Sequence, residues 1–157
     1  MISILCVGSL KEDWQRAACA DYLKRLSRLG KYEVIEVKDE PEPGNSSPAI
    51  QNEIIKKEGR AIISRLKPGD RVIALCIEAN MLSSPALAKK TADWAMSGRR
   101  TVLVIGGSLG LSKEVTDLAE EKISFSPMTF PHTLMRVILL EQLYRAAKIN
   151  AGERYHK

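Results

Sequence analysis

Two short runs, RVIALCI (Arg71–Ile77) and TVLVI (Thr101–Ile105), are apolar along nearly their whole length. A strand with one wet face alternates apolar and polar residues. A continuous apolar run has to be covered on both sides, as strands inside a parallel sheet are. Covering both faces of such strands requires helices above and below the sheet, and therefore strands and helices in alternation.

The rest of the chain supplies that alternation. ISILCV (Ile2–Val7) is another buried-strand run, closed by Gly8, and YEVIEV (Tyr32–Val37) alternates with period two. KISFS (Lys122–Ser126) is a last short strand. Between them lie helical patterns. Ser9 stands three residues before Glu12, the spacing of a capping box, and Trp14, Ala17, Ala18, Tyr22 and Leu26 follow at helical spacing up to a stop at Gly30. Ser47-Pro48 reads as N-cap and first turn of a helix bearing Ile50, Ile54, Ile55, Ile62, Ile63 and Leu66. Ser84-Pro85 starts a third helix that Gly98 ends, Ser112 starts a short one, and Pro131 opens a long one to about Ile149. KDEPEPGNSSP (Lys38–Pro48) is a long, acidic, flexible loop. The order β-α-β-α-β-α-β-α-β-α predicts one α/β domain over residues 1–157, with an open, mostly parallel sheet and helices on both faces.

Composition excludes several classes. With 45% apolar residues the chain can form a core, and with 5% aromatic it lacks a stacking platform of the RRM kind. A net charge of +5 favours a polyanionic partner without identifying one. No run approaches a membrane span, and the N-terminus reads as a strand and not as a secretory signal. Cys6, Cys19 and Cys76 are scattered, without a CxxC, so neither a disulfide nor a metal site is expected and a reducing cytoplasm is the expected setting.

In open α/β sheets ligands bind beyond the carboxyl ends of the strands. That directs attention to the end of RVIALCI, to GGSLGLS after TVLVI, and to SPMTFPH after the last strand. Gly106-Gly107-Ser108-Leu109-Gly110 is neither a dinucleotide fingerprint nor a P-loop. Its glycines permit either close backbone approach to a ligand or a tight strand-to-helix turn. The two prolines of Ser126–His132 suit a fixed, non-helical wall that offers backbone groups to a flat ligand, or a rigid connector.

The last helix is the most informative element. In LMRVILLEQLYRAAKI (Leu134–Ile149), 11 of 16 residues are apolar, more than a helix with one wet half carries. A short domain cannot easily enclose it, so a subunit interface and a homodimer are expected. Glu141, Gln142, Arg145 and Lys148 fall on one face, and Arg136 on the opposite, apolar one. A cation there has to be paired, or aimed at a ligand or partner. His132 precedes this helix, and His156 is far away near the end; they make no convincing metal site. Residues 131–157 hold five Lys/Arg against two Glu, and the tail Arg154-Tyr155-His156-Lys157 could contact phosphates and stack on a base, or fray.

At VIGGSLGLS, SFSPMTFPHTLMRVILLEQLYRAAKI and the tail GERYHK, and further at MISILCVGSLKE, YEVIEVKDE and KKEG, the sequence resembles the RlmH family of SPOUT-class methyltransferases. The resemblance covers essentially the whole chain. It implies a C-terminal trefoil knot, a homodimer, and S-adenosylmethionine held by three knot loops. The cofactor positions it implies are Leu75, Gly106, and Phe125, Ser126, Pro127, Met128, Thr129 and Phe130. The substrate it implies is a pseudouridine in a stem-loop of the 23S rRNA, methylated at N3 on assembled ribosomes. His132, His156, Arg136 and Tyr155 are candidates for assisting loss of the N3 proton or stabilising the anion, with Arg136 and His132 ranked first. Arg154, Tyr155 and His156 would contact RNA. Three positions depart from the family pattern: Cys76 stands where an acid is usual, and Ala79-Asn80 where Gly-Lys is usual. Rival readings are a non-catalytic ribosome-maturation factor with the same fold and, less favoured without the dinucleotide fingerprint, a nucleotide-dependent oxidoreductase.

Overall fold

A computed structural model describes residues 1–153 and Tyr155. Arg154, His156 and Lys157 lie outside the described residues. The strands are β1 (Ile2–Val7), β2 (Tyr32–Val37), β3 (Arg71–Met81), β4 (Thr101–Ile105) and β5 (Glu121–Ser124). They alternate with α1 (Asp13–Leu26), α2 (Pro48–Ile63), α3 (Ser84–Met96), α4 (Lys113–Leu118) and α5 (His132–Asn150). The sheet runs β2-β1-β4-β3-β5, and every pairing among the described strands is parallel. Sequence and structure thus agree on the elements and their order.

The core divides by strand parity. Ile4, Cys6, Ile73, Leu103 and Ile105 point to one face, where they pack with Leu26 of α1, Leu87 of α3 and Leu139, Leu140 and Leu143 of α5. Leu5, Val7, Val72, Val102 and Val104 point to the other, against Ile62 of α2 and Val115 of α4. Both faces are dry, as the unbroken apolar runs require. Each fully buried leucine contributes about 1.5–3 kcal/mol, and Leu103, Leu139, Leu140 and Leu143 are all fully buried.

Boundaries differ from expectation where side-chain bonding decides them. The capping box at Ser9 does not form: Gly8 turns the chain at φ +77°, Ser9 is exposed, and Glu12 is the N-cap without a side-chain cap bond. Arg16 instead donates to the carbonyls of Leu10 and Lys11 at 2.7 and 2.6 Å. α1 stops at Leu26, four residues before Gly30, whose N–H still bonds the Leu26 carbonyl at 3.0 Å. Ser47 and Ser112 do cap their helices, accepting from Ile50 and Val115, whereas α3 is capped by Ser83, one residue before the expected Ser84, accepting from Ala86. β3 runs beyond Ile77 to Met81 because its register against β5 slips: Leu75 and Asn80 both face Ile123, and residues 76–79 bulge between them. β5 ends at Ser124, short of Ser126, because Ser124 Oγ donates to the Ser126 carbonyl and Ser126 Oγ accepts the Met128 N–H.

The single chain encloses α5 more completely than its composition suggests. α5 lies between α1 and α3, with Leu139, Leu140, Leu143 and Ala146 buried. Leu134 and Ile138 stay outside both core clusters and remain partly exposed. No helix among the described residues is long and apolar enough to cross a membrane.

α2 meets α4 at Gly59. A methyl group there would lie 2.3 Å from Oγ and 2.8 Å from Cβ of Ser112, the residue that caps α4. Helix propensity favours alanine over glycine by about 1 kcal/mol. Overpacking costs about 1–3 kcal/mol, and loss of an N-cap about 1 kcal/mol more. The clash wins, so Gly59→Ala is expected to lower the melting temperature by several degrees in a calorimetric scan. An unchanged or raised midpoint contradicts this packing.

Candidate active site

Because the strands are parallel, their carboxyl ends all reach the same edge of the sheet. At that edge a cavity of about 720 Å³ opens between the bulge of β3, the ends of β4 and β5 and the start of α5. Its size is within the range of small-molecule sites, about 300–1,000 Å³. Leu75, Gly106, Phe125, Ser126, Met128, Thr129, Phe130 and His132 all line it, as does Met135 one turn into α5. Pro127 alone among the expected cofactor residues does not. The β3 bulge contributes Cys76 and Ile77, and the whole stretch from Ile105 to Leu111 forms one wall. The strand-end rule points to the whole GGSLGLS segment in the sequence, and the resemblance narrows the implied cofactor contact to Gly106; in the structure the wall extends over all of Ile105–Leu111.

The glycines of this wall serve the loop itself. Gly110, at φ +86°, donates its N–H to the Gly107 carbonyl at 3.1 Å, closing a tight turn. A Cβ at Gly106 would lie 2.6 Å from the carbonyl carbon and oxygen of Gly110. The loop therefore cannot close over any larger residue at Gly106, whatever it binds. A Cβ at Gly107 would lie 2.7 Å from Oε2 of Glu58, a buried carboxyl on α2. Burial pushes the Glu58 carboxyl up from the usual range; the Glu40 N–H opposes this, and the charges of Asp39 and Glu40 add to it. In the sequence Glu58 lies within the KKEG string of the resemblance, but nothing there assigns it a role.

A second constellation meets at Gly8, at the end of β1. His132 Nε2 and the Asp39 side chain both lie within 3.6 Å of where a Gly8 Cβ would stand. Arg136, one turn along α5, is 1% exposed; it donates to the Gly8 carbonyl at 2.7 Å and pairs with Glu36 of β2. Its Nε has no partner among the described residues. Arg136 is thus a paired cation turned toward β1 and β2, and it does not line the cavity. His132 does, and is half-buried. Burial lowers its pKa, as do the charges of Arg136 and Lys11, while Asp39 acts in the opposite direction. His132 is therefore neutral near pH 7, with a ring nitrogen available to accept a proton.

The tail residue Tyr155 packs edge-on against Tyr144, ring centroids 5.0 Å apart, with the Arg145 guanidinium 4.8 Å from its own ring. This is the far end of α5, and 19 helical residues span about 28 Å. Within one chain Tyr155 and the cavity lie at opposite ends of that helix. The RNA contacts expected of Arg154 and His156 concern residues outside the described ones.

His132 gives a pH test. Its folded pKa lies below the ordinary value of 6.5, so the unfolded chain takes up the proton first. Stability is then expected to fall as pH drops through the ordinary histidine range toward the folded pKa. His132→Gln should remove that slope from denaturant melts between pH 7 and 5. Equal slopes in wild type and variant contradict the assignment.

Comparison with known proteins adds the lineage. The family model "Predicted SPOUT methyltransferase" matches residues 1–156. Two proteins called ribosomal RNA large subunit methyltransferase H, from Clostridium novyi and Bifidobacterium animalis subsp. lactis, are 53% and 52% identical over 157 residues, covering 99% of each chain. The solved structure of a probable methylase family protein from Haemophilus influenzae superposes with a TM-score of 0.58 at 11% identity, covering 99% of this chain and 70% of that one. At that identity it shows a shared fold only. A full-length family match and relatives above 50% identity agree with the motifs around the glycine loop and SPMTFPH, and the chain belongs to the RlmH family of SPOUT methyltransferases.

Proposed function

We propose that this chain binds S-adenosylmethionine in the cavity at the strand ends and methylates N3 of a pseudouridine in a 23S rRNA stem-loop, on assembled ribosomes in the cytoplasm. The observation that carries the reading is the convergence of Leu75, Gly106 and the Phe125–Phe130 segment on one cavity. The names of the relatives, which specify large-subunit ribosomal RNA, support the substrate class.

The lining suits this cofactor. Leu75, Ile105, Leu109, Phe125 and Phe130 offer apolar surface for an adenine ring, and the glycine loop and the SPMTFP segment offer backbone groups for its polar edge. When bound, S-adenosylmethionine supplies an electrophilic methyl group on a sulfonium. The protein's part is chiefly positioning, with N3, the methyl carbon and the sulfur held in line. N3 has to lose its proton before it attacks. Neutral His132, on the cavity wall, is the residue placed to accept it. Arg136 acts through His132 and Gly8 as a positioning residue, holding a fixed positive charge behind the site where an anionic base forms.

The complete site in this reading needs two copies of the chain. The uncovered stripe of α5, Leu134 and Ile138, gives a homodimer its seam. An antiparallel α5 pair would bring the Tyr155 end of one protomer beside the His132 end of its partner, closing the gap of one helix length. There Arg154, Tyr155 and His156 would meet RNA through phosphate contact and stacking. The same reading includes the family's trefoil knot, with the chain after β5 threaded through the loop around the cavity.

The test uses labelled S-adenosylmethionine and ribosomes from a strain lacking the modification, followed by mapping of the methyl group. The expected product is one methyl on N3 of a pseudouridine in 23S rRNA. Deleting residues 153–157 should leave cofactor affinity within about twofold and abolish transfer, because each tail acts on the partner's site. Binding of ribosomes without transfer of label identifies the maturation-factor alternative. Transfer at the full rate by the deletion variant rejects the two-chain site.

A further inference from the structure

Glu58 is the unexplained residue of α2. It is 4% exposed, and no cation pairs with it among the described residues. One carboxyl oxygen accepts the Glu40 N–H at 3.1 Å. The other is buried and has no hydrogen-bond partner. A buried, unpartnered carboxyl oxygen is unfavourable, and a side chain of similar volume without it would pack as well, so its presence calls for a reason.

The reason lies in what the free oxygen faces. It stands 2.7 Å from the position of a Gly107 Cβ, and the carboxyl carbon stands 3.2 Å from it. Glu58 therefore fills the space behind Gly107, on a loop whose front lines the cavity. The next residue, Gly59, meets Ser112 just past the other end of the same loop. Two consecutive residues of α2 thus back the loop at both ends. Through Glu40, Glu58 also reaches the beginning of the acidic segment that follows β2.

We propose that Glu58 is a positioning residue of the cofactor loop, its carboxyl setting how far Gly107 stands into the cavity and tying that loop to the segment after β2. The proposal rests on the cavity being the S-adenosylmethionine site. Reach, more than charge, is the operative property. Glu58→Asp keeps the charge but withdraws the carboxyl from Gly107, leaving the loop free to settle backward. Glu58→Gln keeps the reach and an acceptor for the Glu40 N–H. Gly107→Ala, with Glu58 in place, pushes the loop forward. Combined with Glu58→Asp, the new methyl group occupies the vacated space.

The experiment is calorimetric titration of S-adenosylmethionine into the full chain and these four variants, with KM for the cofactor and kcat measured on ribosomes. Glu58→Asp and Gly107→Ala are each expected to weaken binding about tenfold, raising KM with kcat at saturating cofactor nearly unchanged. Glu58→Gln should stay within about threefold of wild type. The double variant should bind about tenfold more tightly than the product of the two single losses, the mark of two residues in direct contact. Wild-type affinity in Glu58→Asp, loss in Gln equal to that in Asp, or strictly multiplicative losses in the double variant each overturn the proposal. A wild-type chain that does not bind the cofactor is a separate result: it removes the cofactor reading, and this proposal with it.

Discussion

The parallel register of the sheet is the constraint on which the rest of the molecule depends. Parallel strands need a crossover between each pair, the crossovers are helices, and helices cover both faces, so β1, β3 and β4 are apolar on both sides. The same register sends the carboxyl ends of all five strands to one edge. Gly8, Leu75, Gly106 and Phe125 are distant in the chain, yet Gly8, Gly106 and Phe125 lie just beyond a strand end on that edge, and Leu75, at the β3 bulge, lines the same cavity as Gly106 and Phe125. The cavity follows from the topology, and its chemistry from the loops that the topology collects there.

Those loops are held by packing behind them as much as by their own bonds. The glycine wall is a turn closed on itself between Gly107 and Gly110, braced by α2 through Glu58 and Gly59. On the neighbouring side, Arg136 joins α5 to β1 and β2 through the Gly8 carbonyl and Glu36, and His132 sits one turn above it at the cavity wall. One helix therefore supplies both the group that faces the cavity and the cation that anchors it. Ser3 shows the same economy elsewhere in the sheet, its hydroxyl donating to Glu33 across the β1–β2 pair.

Much of this was legible in the residues. Strand order within the chain, the serine caps at Ser47 and Ser112, and the strand-end location of the candidate ligand loops followed from apolar periodicity and turn chemistry. Boundaries escaped where a single bond decided them. Ser9 has the right spacing for a capping box, but Gly8 turns the backbone and Arg16 takes over the neighbouring carbonyls. The β3 bulge depends on a register slip against a strand more than 40 residues later, which no local pattern encodes. The sequence shows that Arg136, on the apolar face, has to be paired or aimed at a ligand or partner; it does not show which, because its partner, Glu36, stands 100 residues away. Glu58 falls within the KKEG string that carries part of the resemblance, but as one more charge on a helix rich in them it has no legible role there. The meeting of α2 with the glycine loop gives it one.

The central claim is that one ligand bridges the three strand-end segments. Hydrogen–deuterium exchange of the full chain, with and without S-adenosylmethionine, tests it directly. The account predicts new protection in 75–77, 106–111 and 124–130 together, with little change around Met1, Lys31 and Trp94, which line a separate depression at the opposite end of the sheet. Protection confined to one of the three segments, or centred on that opposite end, would contradict it.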